Sequence, residues 1–279
     1  MSGTPVGRIT GAALLGGIVG NPVSHSLSPV IHNAWLEAGG IDGAYVAFAP
    51  KDASGFDALV TAGRAGLIAG VNVTAPFKEQ AFALADEAAA AAQMTGSANI
   101  LVFEDGRVRA DSADGAGVLY ALAEQAPKLK LNGASVVMLG AGGAARASAG
   151  ALIEAGAALS ILNRTRERAE ALAADLGPAV SVASDASVLE GADLVINALS
   201  VAPDISLAAL KPSAVVMDMT YKPVVTPLLA AARARGLTTV DGLAMLIGQA
   251  APSFEAIFRR PPPPLDLRAL LLSHLGETA

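Results

Sequence analysis

The stretch from Ala134 to Thr165 constrains the fold more than any other part of the chain. An apolar run, Val136-Val137-Met138-Leu139, precedes Gly140-Ala141-Gly142-Gly143-Ala144, a helical segment, a second apolar run over 158–162 and then Asn163-Arg164-Thr165. Strand, tight turn, helix and strand form the unit that grips a dinucleotide pyrophosphate. Glycine lets the backbone turn sharply and approach the phosphates, and the first N–H groups of the helix offer hydrogen bonds and a positive dipole end. The residues after the second strand sort the cofactor. A carboxylate there accepts from a ribose 2′-hydroxyl, whereas Asn163-Arg164, with Arg166 and Arg168 close behind, suits a 2′-phosphate and hence NADP. In isolation the same residues also fit a surface helix with Thr165 as N-cap and Arg164 as a solvated charge. The flanking strands and the basic residues favour the dinucleotide.

At 279 residues the chain exceeds the usual size of one domain, so two domains are expected. Hydrophobic residues make up 53% and charged ones 16%, an ordered globular composition, yet no apolar segment reaches the roughly 20 residues that span a bilayer. Arg8 leads into a glycine-rich run, Ile9 to Gly20, that reads as a first strand rather than a signal peptide, and the expected location is cytoplasmic. The absence of cysteine excludes disulfides, cysteine metal sites and cysteine nucleophiles. His25, His32 and His274 are too scattered to argue for zinc, so no metal is expected. A net charge of −6 without a basic tract gives no support to nucleic-acid or membrane partners.

Periodicity organises the rest. Ala13 to Val19 reads as a buried strand, and Ser28-Pro29 starts a helix with Ser28 as N-cap, an apolar stripe at Ile31, Ala34, Trp35 and Ala38, and a stop at Gly39-Gly40. Strands are expected at 44–48 and 67–73, a helix at 56–63 and one or two helices over 78–92. A hairpin over 99–103 and 107–110 turns at Glu104-Asp105-Gly106. After a helix at 114–124, strands at 135–139, 158–162, 179–183, 193–197, 214–218 and 237–240 alternate with helices, as in a parallel doubly wound sheet. A helix from Gly242 to Phe258, the tract Pro261 to Pro264 and a helix at 265–275 close the chain. The fold class is therefore α/β with two domains. An N-terminal α/β domain over 1–113 is completed by C-terminal helices in 242–279, and a dinucleotide domain covers 114–241.

Four polar segments fall where strands should end. In Ser26-Leu27-Ser28-Pro29, two hydroxyls at a helix N-terminus either hold a carboxylate jointly or serve separately as a turn and a cap. In Asn72-Val73-Thr74-Ala75-Pro76-Phe77-Lys78, alternation points Asn72 and Thr74 the same way, and Pro76 forces a turn that sets Lys78 at a helix start. There the ammonium opposes the helix dipole; it is either a plain surface lysine or a proton-transfer group. Asn99 opens a strand, and Asp114 either caps the next helix or pairs with Lys78 as a dyad.

Together these residues resemble shikimate dehydrogenase. The resemblance rests on Gly20-Asn21-Pro22-Val23, His25-Ser26-Leu27-Ser28-Pro29, His32-Asn33-Ala34, Asn72-Val73-Thr74 and Pro76-Phe77-Lys78-Glu79. It continues through Gly140 to Ala147, Asn163-Arg164-Thr165, Asp218-Met219-Thr220-Tyr221, Thr226-Pro227, Gly242-Leu243, Met245-Leu246 and Gln249-Ala250, in order over residues 14 to 258. It implies a substrate domain and a Rossmann-like NADP domain with the active site in the cleft between them, and reversible reduction of 3-dehydroshikimate to shikimate by NADPH without metal. Ser26 and Ser28 would hold the substrate carboxylate with Tyr221 nearby. Asn72, Thr74, Asn99, Asp114 and Gln249 would bind the ring hydroxyls, with Lys78 as acid/base beside Asp114. Gly140, Ala141, Gly142, Gly143 and Ala144 would take the pyrophosphate, and Asn163, Arg164, Thr165 and Arg168 the 2′-phosphate. Met219 and Gly242 would flank the nicotinamide. A relative acting on quinate or an aminated shikimate, or an idle NADP-binding module, is the alternative; a monomer or homodimer is expected. The chain departs from the family at Ile100, Ser112-Ala113, Ala198-Leu199-Ser200 and Gly248, where threonine, asparagine and threonine, alanine, threonine and serine, and an aromatic are respectively usual.

Overall fold

The structure, a computed structural model, describes residues 9–199 and 201–277; Arg8 and Ser200 of the readings above lie outside the described residues. The chain divides into two compact units, one of residues up to Ala113 together with those from Ala250 onward, the other of Asp114–Gln249.

In the first unit the chain runs β1 (Leu14–Val19), α1 (Ser28–Ala38), β2 (Gly43–Phe48), α2 (Ala53–Arg64), β3 (Gly70–Val73), α3 (Lys78–Ala83), β4 (Glu87–Ala88), α4 (Ala90–Thr95), β5 (Ile100–Glu104) and β6 (Arg107–Asp111). The sheet order is β2-β1-β3-β5-β6-β4. β1 pairs in parallel with β2 and β3, whereas β5 is antiparallel to both β3 and β6. The expected hairpin forms because Asp105 and Gly106 both take positive φ, 50° and 75°, the backbone that a two-residue hairpin turn needs. One face of the sheet buries Val71, Val73, Leu101 and Phe103 against Phe56 and Val60 of α2, with Phe77 stacked on Phe56 at 5.0 Å. The β3 strand begins at Gly70 rather than 67, since Leu67 is still leaving the α2 terminus and is exposed. The alanine-rich stretch 78–92 is two short helices separated by β4, which pairs with β6.

The second unit holds α5 (Asp114–Gln125), β7 (Ser135–Leu139), α6 (Gly143–Glu154), β8 (Ala158–Leu162), α7 (Arg166–Leu176), β9 (Val180–Val182), β10 (Leu194–Asn197), β11 (Val215–Asp218), α8 (Pro227–Ala234) and β12 (Thr238–Val240). All its strand pairs are parallel, in the order β12-β11-β10-β7-β8-β9. Order reverses between β7 and β10, and ligands of such sheets bind outside the strand C-termini at that switch. Both faces of the central strands are covered, so β7, β10 and β11 are nearly continuous apolar runs: Val136 and Met138 pack toward Leu152 and Leu159, Val137 and Leu139 toward Val195, Val216 and Leu229. α9 (Gly242–Phe258) starts in this unit and ends in the first, to which α10 (Leu267–Leu275) also belongs.

Candidate active site

In the first unit the C-terminal ends of β1 and β3 adjoin, with Val19 opposite Val73. Period-two alternation buries Val71 and Val73 in the core and leaves Asn72 and Thr74 half-buried on the other side. Ser28 is not the N-cap of α1. Leu27 holds that position without a side-chain cap, and Ser28 is the first helical residue. The physical reason is that Ser26 Oγ accepts the Ser28 N–H at 3.3 Å, which leaves the Ser28 hydroxyl to face the Tyr45 phenol. The hydroxyls of Ser26 and Thr74 have no acceptor among the described residues. Lys78 is half-buried at the first position of α3, and its carbonyl receives the Ala98 N–H at 2.9 Å, which fixes the lysine beside the 98–99 segment. Asn99 is buried: its carbonyl accepts from the Val73 N–H and from Asn72 Nδ2, and its Oδ1 accepts from the Ala113 N–H at 2.9 Å. The unit thus gathers Asn72, Thr74, Lys78 and Asn99, with Ser26 and Ser28 at the α1 entrance.

Asp114, Tyr221 and Gln249 belong to the second unit: Asp114 opens α5 and is buried, while Tyr221 and Gln249 are half-buried. Gly140 turns the chain after β7 with φ 109°, closed to most side chains, and an added Cβ would stand 3.0 Å from Leu199. Leu199, one of the family departures, lays its side chain over that turn. Gly142 occupies the N-cap of α6 with no side-chain cap, and Gly142 and Gly143 are exposed, so the helix presents open N–H groups. Ala141 and Ala144 are half-buried beside them. After β8, Asn163 Nδ2 donates to the Thr165 carbonyl at 2.7 Å and shapes the turn. Thr165 sits at the α7 N-cap with its hydroxyl uncommitted to the helix. Arg166 pairs with Glu170 at 2.7 Å, whereas Arg164 and Arg168 are exposed and form no ion pair among the described residues. An open helix terminus with two unengaged guanidinium groups beyond the neighbouring strand fits a pyrophosphate and a 2′-phosphate.

Asn197 and Asp218, which end the two neighbouring strands β10 and β11, carry no expected role in the sequence. They are register partners, buried, with Asn197 Nδ2 donating to Asp218 Oδ1 at 3.1 Å. Asp218 also accepts from the Thr220 N–H at 3.0 Å and the Thr226 hydroxyl at 2.7 Å, and Asn197 Oδ1 accepts from the Leu199 N–H. They therefore hold the loops carrying Leu199 and half-buried Met219. The signal was available: Leu-Val-Ile-Asn and Val-Val-Met-Asp each close an apolar strand with one polar residue. Buried Gly242 starts α9, whose first turn is capped by Asp241 through the Ala244 N–H at 2.9 Å. At Gly248 the missing aromatic is replaced in space: an added Cβ would stand 2.5 Å from Cβ of Tyr120 on α5.

A doubly wound parallel sheet with an open glycine turn after its first strand and cations after its second defines a dinucleotide-binding α/β protein. Residues 18–101 match the family described as shikimate dehydrogenase substrate binding domain, and residues 121–230 that described as shikimate / quinate 5-dehydrogenase. The chain is 50% identical to the shikimate dehydrogenase (NADP(+)) of Caulobacter vibrioides, covering 96% of this chain and 98% of that one. The Thermus thermophilus enzyme, solved with NADP(H) and shikimate, superposes with a TM-score of 0.81 at 34% identity, covering 90% of this chain and 95% of that one. A quinate dehydrogenase from Corynebacterium glutamicum, solved with NAD, reaches 0.85 at 29% identity, covering 94% and 99%. The chain belongs to the shikimate dehydrogenase family.

Proposed function

We propose that this chain is an NADP-dependent shikimate dehydrogenase that reversibly reduces 3-dehydroshikimate to shikimate in aromatic amino acid biosynthesis. The observation that carries this reading is the polar rim beyond the ends of β1 and β3, where the Ser26 and Thr74 hydroxyls have no acceptor among the described residues and can donate to a ligand, in a chain 50% identical to an NADP(+)-dependent relative. The substrate domain is read as 1–113 completed by 242–279, and the cofactor domain as 114–241. Ser26 and Ser28 bind the carboxylate with Tyr221. Asn72, Thr74, Asn99, Asp114 and Gln249 bind the ring hydroxyls. Arg164 and Arg168, with Asn163 and Thr165, bind the 2′-phosphate; the Gly140–Ala144 turn binds the pyrophosphate; Met219 and Gly242 border the nicotinamide.

NADPH, when bound, supplies the hydride that forms the new C–H bond at the substrate carbonyl carbon. As that carbonyl becomes an alkoxide, the Lys78 ammonium donates a proton to its oxygen, and Asp114 orients the ammonium. In the oxidising direction neutral Lys78 takes the hydroxyl proton. The enzyme is expected to be a cytoplasmic monomer or homodimer. The test is a steady-state assay of shikimate and quinate, each with NADP and NAD. The highest kcat/KM is expected for shikimate with NADP. Preference for quinate would reassign the substrate, and NADP binding without turnover of either would make the chain an idle cofactor module.

A further inference from the structure

His32-Asn33 belongs to the shared motif but has no part in the site described above. Both residues converge on Tyr45. The His32 imidazole stacks on the Tyr45 ring at 4.1 Å and 7°, and the Asn33 side chain brackets the Tyr45 backbone, accepting its N–H at 3.0 Å and donating to its carbonyl at 2.8 Å. Ring and backbone are thereby fixed in a wholly buried position on β2. The phenol has one proton, which it donates to Asn72 Oδ1 at 2.7 Å. Burial raises the phenol's pKa well above its ordinary value, so the hydroxyl remains a donor across the neutral range.

We propose that Tyr45 is a positioning residue, clamped by His32 and Asn33, that fixes the Asn72 amide and through it the hydroxyl-binding side of the substrate pocket. The proposal rests on the substrate site assigned above. Asn72 spends both Nδ2 protons inside the unit, on Ser253 Oγ at 2.8 Å and on the Asn99 carbonyl at 3.2 Å. With the Tyr45 proton on Oδ1, what the amide has left is acceptor capacity on that oxygen. Asn72 therefore meets a ligand as an acceptor of a hydroxyl proton and not as a donor. Its hold on Asn99 carries the constraint further, because Asn99 Oδ1 receives the N–H of Ala113, the residue before Asp114.

Tyr45→Phe keeps the ring and its stack and removes the hydroxyl alone. The expected result is a rise of roughly five- to tenfold in KM for shikimate, the scale of one lost hydrogen bond, with kcat and the KM for NADP essentially unchanged. In the Asn72→Ala background, Tyr45→Phe is expected to raise KM by much less than it does alone, since most of its effect runs through that amide and only the contact with the Ser28 hydroxyl remains. An unchanged shikimate KM, losses that add in the double variant, or an equal shift in the NADP constant would overturn the proposal. If the wild-type enzyme turns over no shikimate, the functional reading fails by itself. The lock is then read by hydrogen exchange of the Asn72 side-chain amide, slow in wild type and accelerated in Tyr45→Phe; equal exchange in the two rejects it.

Discussion

Lys78 is placed by its own backbone: its carbonyl is tied to Ala98, so the ammonium leaves a fixed stem next to buried Asn99. Lys78→Ala is expected to lower kcat with shikimate by at least about a hundredfold with a modest change in KM. Steady-state kinetics decide it, and near-normal turnover removes the proton-transfer role. Arg164 has no carboxylate to neutralise it among the described residues, so its charge is available to a phosphate. Arg164→Ala is expected to narrow the NADP-over-NAD ratio of kcat/KM by roughly tenfold or more; an unchanged ratio would place 2′-phosphate recognition elsewhere. The placement of both residues was legible in the sequence because each is an unusual charge for its position, a cation at a helix start and a cation where a ribose-binding carboxylate would stand. Tyr45 was not legible. An aromatic residue inside an apolar strand reads as core, and its partner Asn72 lies on another strand two places across the sheet.

Among elements, the glycine turn between β7 and α6 is the clearest case of sequence dictating geometry. Gly140→Ala must hold a Cβ at φ 109° against Leu199, and is expected to cost about 1–3 kcal/mol of stability. A thermal melt with and without NADP should show a lower midpoint and a smaller rise on adding cofactor; a wild-type profile would deny the turn its cofactor role. The central strands of the cofactor unit, β7, β10 and β11, were readable almost to the residue, since buried parallel strands are unbroken apolar runs bounded by glycine and polar residues. The segment 78–92 was not, because alanine supports a helix without marking where one stops, and β4 owes its existence to pairing with β6. The position of Ser28 was misread for a related reason. Serine before proline is a strong capping signal, but Ser26 takes the N–H and shifts the helix start by one residue.

At the scale of the whole molecule, His32 links folding to pH. Burial lowers its pKa from 6.5 to about 3, and its Nδ1 has no hydrogen-bond partner among the described residues, so the folded chain holds it neutral. Between these two values the unfolded chain binds a proton that the folded one does not. Its stabilising contribution is therefore complete above pH 6.5 and lost as pH falls toward 3, by as much as about 5 kcal/mol. Melts from pH 7 to 4 should fall more steeply for wild type than for His32→Phe, which keeps an aromatic ring against Tyr45; parallel curves would refute the linkage. The cofactor unit is one uninterrupted stretch, whereas the other unit waits for everything from Ala250 onward, including Ser253, the acceptor for Asn72. On the ribosome the nucleotide-binding half can be complete while the half that begins the chain is still unfinished. A truncated or stalled product would then be left able to grip NADP with no finished pocket for a hydroxylated ring carboxylate.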